Sequence, residues 1–336
     1  MVNRLLSLVI TTFIASVIIF IIMRTLPGDI VGWILSGGGE AVHSAEVREA
    51  LRNELGLNDP FALQYLRWAY SMLTGGFGGK SLANGQQISD MVARQFPVTL
   101  LLASYASVLS VVIAVPLAAI SALRWNRWPD YLVRLVTIPG QAIPNFLLAL
   151  LFLLGLVMIF RWSPPIVYTN PWEDSWNHVQ IVFLPVILLA WESSSHITRV
   201  TRVHILEVMN EDYILLARAK GLPEQHVVLS HALRNALVPT ITILGLQFGT
   251  LLSGTLILES IFGLPGLGRA LIQAALVRDF PVIQTLVTIL VFLILTLNLI
   301  IDVMYGILDP RIHLSRSSYT VGLHIPRGGR DLSESH

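Results

Sequence analysis

Five stretches of this chain run for 19 or more residues without a charge: 5–23, 97–123, 135–160, 235–258 and 280–301. A spanning helix needs roughly 20 mostly apolar residues, so each is long enough. A sixth stretch, 179–206, is apolar as far as Trp191 and then carries Glu192 and His196; it is counted as a span. A buried soluble helix explains one such run but not five together. The pattern predicts an all-α, polytopic membrane protein with six transmembrane helices. The first run has Arg4 in front, as a signal peptide does. Its apolar part exceeds the about 7–15 residues of a signal h-region, and no small-x-small site follows. It is read as an uncleaved helix that stops at Arg24-Thr25-Leu26-Pro27-Gly28-Asp29.

Between the runs the period changes. Over 45–55, Val47, Leu51 and Leu55 repeat at helical spacing, with Ser44 as N-cap and Gly56 as the stop. A second amphipathic stretch covers 61–73 and ends at Gly75-Gly76. These predict a small helical cap between spans one and two. Gly79-Lys80-Ser81 resembles the end of a phosphate-binding loop, but Thr74 stands where the first glycine belongs and no strand precedes it. A turn is the better reading.

Composition agrees with the membrane. Of 336 residues, 54% are hydrophobic and 13% charged, and the net charge is +1. So little charge cannot cover a soluble surface, and no basic run suits nucleic acid. Without cysteine, disulfides, Cys-ligated zinc and iron–sulfur clusters are excluded. The histidines are scattered, and no metal site is expected. Short-loop basic residues set the orientation. With both termini cytoplasmic, 13 Arg and Lys lie inside and three (Arg161, Arg269 and Arg278) lie in the short outer loops. Residues 1–96 then form the first helix and an extracytoplasmic segment, 97–311 a five-helix core with an inner loop at 207–235, and 312–336 a polar cytoplasmic tail.

That inner loop is the most informative segment. Glu211 and Asp212 suit a helix N-terminus, and Arg218 and Lys220 suit its C-terminus. Gly221 fits the C′ position and Pro223 the first turn of a following helix. Tyr213, Leu216, Ala217 and Lys220 share one face, and Ala217 and Ala219 permit close approach by another protein. A solvated basic loop is the competing reading on physical grounds.

The motifs decide between them. Ala217 to Leu222 reads A-R-A-K-G-L, and His231-Ala232-Leu233-Arg234-Asn235-Ala236-Leu237-Val238-Pro239 follows. This resembles the cytoplasmic loop of binding-protein-dependent ABC importer permeases, in the first-permease (B-type) part of the oligopeptide/dipeptide/nickel branch. Further pieces in order include Leu57-Asn58-Asp59-Pro60, Ile197-Thr198-Arg199, Glu259-Ser260-Ile261-Phe262-Gly263-Leu264-Pro265-Gly266-Leu267-Gly268 and Arg278-Asp279-Phe280-Pro281. The terminal Asp309-Pro310-Arg311 fits as well. The resemblance covers nearly the whole chain. The chain departs from the broader E-A-A-x-x-x-G pattern at Leu215 and Leu216, while Ala217 and Gly221 match it. Leu233-Arg234 replaces its later L-P pair, as in the dipeptide branch.

The resemblance implies a type I importer fold and a non-catalytic subunit forming half of a pore. It also implies two cytoplasmic ATPases that bind ATP and Mg, a second homologous permease and an extracytoplasmic substrate-binding protein. The loop 207–235 would be the coupling helix. Peptides are the default substrate, with nickel chelates or oligosaccharides as alternatives. A stand-alone transporter or channel would want internal repeats, and none is evident. An intramembrane hydrolase is suggested only by Ser195 beside His196, which point about 100° apart on a helix.

Polar residues inside spans are functional candidates by default. Gln141 (between Pro139 and Pro144, which can bend that helix), Glu192, Ser195, His196, Gln247 and Asn298 are pore candidates. Glu192 to His196 read equally as a helix end or packing cluster, and Asn298 with Asp302 reads first as a structural pair. Glu259, Phe262, Gly263, Pro265 and Gly266 form an outer gate or docking surface, or a loop without a gating role. Gly245, Gly249 and Ser253 make a small-residue packing face on span five.

Overall fold

The fold is that of a computed structural model, which describes residues 2–25, 31, 35, 45–54 and 56–308. Ser44, Leu55, the 26–29 stop, Asp309-Pro310-Arg311 and the tail 312–336 lie outside the described residues, as does the side chain of Asp302. The described residues are almost entirely helical: α1 Val2–Thr25, α2 Ala45–Glu54, α3 Phe61–Leu73, α4 Ile88–Leu123, α5 Trp128–Ala142, α6 Asn145–Phe160, α7 Ser175–Val208, α8 Asp212–Ala219, α9 Glu224–His226, a π-helical turn Val227–Ala232, α10 Leu233–Ile261, α11 Leu267–Val277 and α12 Phe280–Leu308. Both cap helices lie where the spacing placed them.

Among the described residues, five helices are long and apolar enough to cross a membrane, and six spans result if the bent pair α5–α6 counts as one. The run 135–160 was expected to be one helix. It is instead two, meeting at 104°. Pro144 explains the break. Its ring disfavours helical backbone at the residue before it, and Ile143 is extended at φ −101° and ψ 124°. Pro144 also has no N–H to continue the ladder, and α6 starts afresh behind it.

Helix α4 sets the height of the molecule. Its 36 residues span about 54 Å at the usual helical rise. Its start adjoins α3, whose Trp68 lines one pocket with Val92 and Phe96, and its end packs with α8. These are the cap end and the loop end below. The longest packing seam joins α4 to α7, with α10 laid across both and α1 against α12. Polarity is inverted relative to a soluble bundle. Val9, Phe13, Leu150, Phe160 and Phe292 are exposed, while Asp130, Thr201, Glu259 and Asp279 are buried. Such a continuous apolar exterior has its solvent in lipid. Trp125 and Trp128 stand exposed at the loop end, and Trp162, Trp172 and Trp176 at the cap end. That is the two-girdle placement of residues with one wet edge.

The cap is pinned to the bundle. The Trp68 indole N–H donates to Thr285 Oγ1 at 3.1 Å, and the Thr285 hydroxyl donates to the Phe77 carbonyl at 3.0 Å. Gly78, at φ +84°, sits where a Cβ would collide with both side chains. The Gly79-Lys80-Ser81 segment is a tight hairpin, closed by a bridge between Lys80 and Gln87. Its Ser81 hydroxyl is committed to Asp279 at 2.5 Å.

Candidate functional site

At the loop end, α8 is a short arm held on a rigid frame. Asp212 opens it, Lys220 caps it, and Gly221 takes φ +80° in the C′ position. Pro223 is the N-cap of α9 and not its first residue, and α9 is only three residues long. The expected second helix is continuous with α10 through the π-helical turn at 227–232. π-turns insert one extra residue per turn and cluster at functional sites.

The arm has two faces. Ile214 and Ala217 are buried against Ala118 and Ala122 of α4, Ile205 of α7 and Val227 and Val228 of the π-turn. Ala217 was expected to share an approachable face with Tyr213 and Leu216. The fold turns it inward, because the α4 and α7 ends claim that side of the helix. Tyr213, Leu215, Leu216, Ala219 and Lys220 form the exposed face, with Glu211 and Asp212 at its start. The Tyr213 hydroxyl accepts from Asn235 Nδ2 at 2.6 Å, which ties this face to α10. Arg218 closes the Gly221 turn with a two-pronged pair to Glu224, at 2.7 and 3.1 Å. Those bonds hold the Arg218 pKa above its ordinary value.

At the same end of the molecule Asp130 lies fully buried in the first turn of α5. It accepts from Arg202 Nε and Nη2 at 3.0 and 2.9 Å, Arg134 Nη2 at 2.7 Å, the Asn126 N–H at 3.0 Å and the Ser121 hydroxyl. One carboxylate therefore joins α4, α5 and α7. Sequence reading did not single out Asp130. Its one local signal is Arg134 a turn later.

The polar interruption of α7 faces the α5–α6 break. Asn145 Nδ2 donates to the Glu192 carboxylate, and the Trp191 indole N–H donates to the Val136 carbonyl at 3.0 Å. Ser195 is buried, and its hydroxyl donates to the Trp191 carbonyl at 2.7 Å. A Cβ at Gly140 would strike the Ser195 hydroxyl. Glu192 is half-buried, and His196, also half-buried, lies near Arg199 at 3.5 Å. The other candidates do not gather here: Gln141 is exposed near the break, Gln247 half-buried on α10, and Asn298 exposed on α12.

At the cap end, the α10–α11 segment is built on a buried acid. Glu259, expected on a gate or docking surface, is wholly buried and accepts from the Gly268 N–H at 2.7 Å. A Cβ at Gly266 would collide with its carboxylate, and one at Gly268 with the Leu256 backbone. Thr99 of α4 accepts the Leu267 N–H at 2.9 Å. Phe262 packs on the main core, Gly263 turns at φ +69°, and its carbonyl accepts from Arg269. Pro265 is half-buried. On α10, Gly245 presses against Ile301, so that helix contact is internal, while Gly249 has room and Ser253 is exposed.

Residues 114–314 match the family described as binding-protein-dependent transport system inner membrane component, and residues 1–103 match its N-terminal companion. The chain belongs to that family. The glutathione transport system permease protein GsiC of Escherichia coli (strain K12) is 36% identical over 311 residues, covering 93% of this chain and 97% of that protein. The oligopeptide transport system permease protein AppB of Bacillus subtilis (strain 168) is 36% identical over 299 residues, covering 88% and 93%. This permease is therefore a multi-pass protein of the cytoplasmic membrane and the permease component of a binding-protein-dependent ABC importer.

Proposed function

We propose that this permease imports peptides and forms one half of their pathway, paired with a second permease subunit. Both termini face the cytoplasm, which puts the loop end inside and the cap end outside. Two ATPase subunits bind ATP and Mg and dock on α8, and a substrate-binding protein docks at the cap end. This chain itself catalyses no reaction. Closure of the ATPases moves α8, and α8 carries α4, α7 and α10 with it, so that the pathway alternates between faces.

One observation carries this reading. The arm exposes Leu215, Leu216 and Lys220 to solvent while Ile214 and Ala217 lock it to three spanning helices. An arm that only satisfied the charge rule would need no such inward face. Two exposed leucines beside a basic residue suit a protein cleft. Peptides are the substrate class because the similar proteins from two bacteria carry glutathione and oligopeptide transport in their names. Gln141, Glu192, Ser195, His196, Gln247 and Asn298 are proposed as pathway residues, Glu192 first, because a partly buried carboxylate beside a helix break suits a peptide ammonium. The segment from Glu259 to Gly266 is proposed as the outer gate.

The test is a mild-detergent pull-down of tagged chain from its host, with co-purifying proteins identified by mass. A second six-span permease and one or two ATPases are expected. Recovery of the chain alone, in a preparation where other complexes survive, would overturn the assembly.

A further inference from the structure

A cavity of about 400 Å³ opens at the cap end, where four segments meet. Arg94 and Gln95 come from the first turns of α4, Gln86 from the hairpin before it, Tyr168 and Asn170 from the α6–α7 connection, and Pro265 from the α10–α11 segment.

Its walls are built. The hairpin is fixed by Asp279, which accepts from Ser81 at 2.5 Å and from the Leu82 and Ala83 N–H groups at 3.2 Å, and Ser81 N–H donates to the Gln86 carbonyl at 2.9 Å. Tyr168 stacks edge-on against His178, whose Nδ1 sits 2.8 Å from the Thr169 carbonyl. Pro265 stands on the segment that Glu259 and Thr99 anchor.

The lining is unsatisfied. Gln95 Oε1 and the Tyr168 hydroxyl are out of solvent and have no hydrogen-bond partner. Such a group is unfavourable while it stays unpaired, so a ligand that satisfies it gains from doing so. Arg94 uses its Nε on the Asp90 carbonyl at 3.2 Å, and no carboxylate among the described residues lies within ion-pair reach of its guanidinium. Of the nearby acids, Asp90 is exposed one turn earlier, and Glu173 accepts from the Asn170 N–H and Nδ2 at 3.2 and 3.0 Å. Glu259 is buried on Gly268. The cavity thus offers one cation, one lone acceptor and one hydroxyl that serves as either donor or acceptor.

We propose that this cavity is an entry subsite for a solute bearing a free carboxylate and amide or ammonium N–H groups, the chemistry of a short peptide. Arg94 takes the carboxylate, since a guanidinium matches it with two parallel donors. Gln95 Oε1 and the Tyr168 hydroxyl take N–H groups. The volume suits one or two residues of peptide rather than a long chain. Pro265 places the subsite against the segment proposed as the gate, so an arriving carboxylate is held where that segment would move. The inference rests on the peptide reading.

The test uses the assembled importer in lipid nanodiscs, with trialanine and its C-terminal amide as probes. Ligand-observed saturation transfer reports contact without the binding protein, and uptake of labelled trialanine with the binding protein reports transport. Wild type should contact the free acid at least tenfold more strongly than the amide. R94Q should erase that preference and leave amide contact unchanged; R94K should restore part of it; Y168F should weaken both probes. Uptake with an acid signal indifferent to Arg94 overturns the subsite and leaves the peptide reading standing. No uptake and no signal overturns both. An Arg94-dependent acid signal without uptake keeps a carboxylate site and overturns the peptide reading.

Discussion

Asp130 and Arg202 stand 72 residues apart and meet in a two-pronged ion pair, with Nε–Oδ1 at 3.0 Å and Nη2–Oδ2 at 2.9 Å. The acid is fully buried and the arginine mostly so. Removing one partner of such a pair leaves the other charge buried and uncompensated, which costs about 3–5 kcal/mol. Asp130→Ala should therefore lower the melting temperature of the detergent-solubilised complex by several degrees. Arg202→Ala should do less, because Arg134 still holds the acid at 2.7 Å. Equal melting of D130A and wild type would mean that this junction does not support the loop end.

The second anchor ties the cap to the last spanning helix. Asp279 is buried and receives three bonds from residues 81–83. Asp279→Asn keeps the shape but loses the charge-assisted bonds, which are roughly twice as strong as neutral ones. The 80–87 hairpin should loosen, and Asn84-Gly85, exposed at its tip, should become the first site of limited proteolysis. An unchanged cleavage pattern would place the hairpin's stability elsewhere.

The glycines at the proposed gate differ in what they permit. A Cβ at Gly268 meets Leu256 backbone, which cannot yield without moving a helix, whereas one at Gly263 meets only the Arg269 guanidinium at ordinary contact distance, but at φ +69°. Gly268→Ala should abolish uptake and reduce the amount of folded protein. Gly263→Ala should cost about 1 kcal/mol of backbone strain and leave a folded protein. A folded, fully active G268A would show that α10 and α11 separate easily there.

Much of this fold was legible in the chain, for a physical reason. Length and apolarity report membrane spans directly, and helical spacing found both cap helices. The third run predicts one helix because apolarity is blind to direction. Pro139 and Pro144 were seen as able to bend it, but the 104° depends on how Glu192, Asn145 and Trp191 pack across the break. Long-range pairs left no local trace. Nothing near Asp130 points to Arg202, and nothing near Asp279 points to Ser81. Ala217 lies on the inner side of its arm, which the sequence does not foretell because period alone gives a face and not its partner. Arg94, Gln95 and Tyr168 show no local signal for the same reason, since two distant segments bring them together.

The arm offers the sharpest separation of roles, because neighbouring residues point in opposite directions. Leu216 is 58% exposed and Ala217 is 8% exposed. Leu216→Glu puts a charge on the outer face without disturbing the inner one, so melting and membrane level should match wild type. ATPase co-purification should fall at least tenfold, since a charge facing an apolar cleft goes undersolvated. Ala217→Trp instead overpacks the cluster of Ala118, Ile205 and Val227, which costs typically 1–3 kcal/mol or more. That variant should lose stability first and transport as a consequence. Retention of the ATPases by L216E, at wild-type stability, would remove α8 from the docking surface.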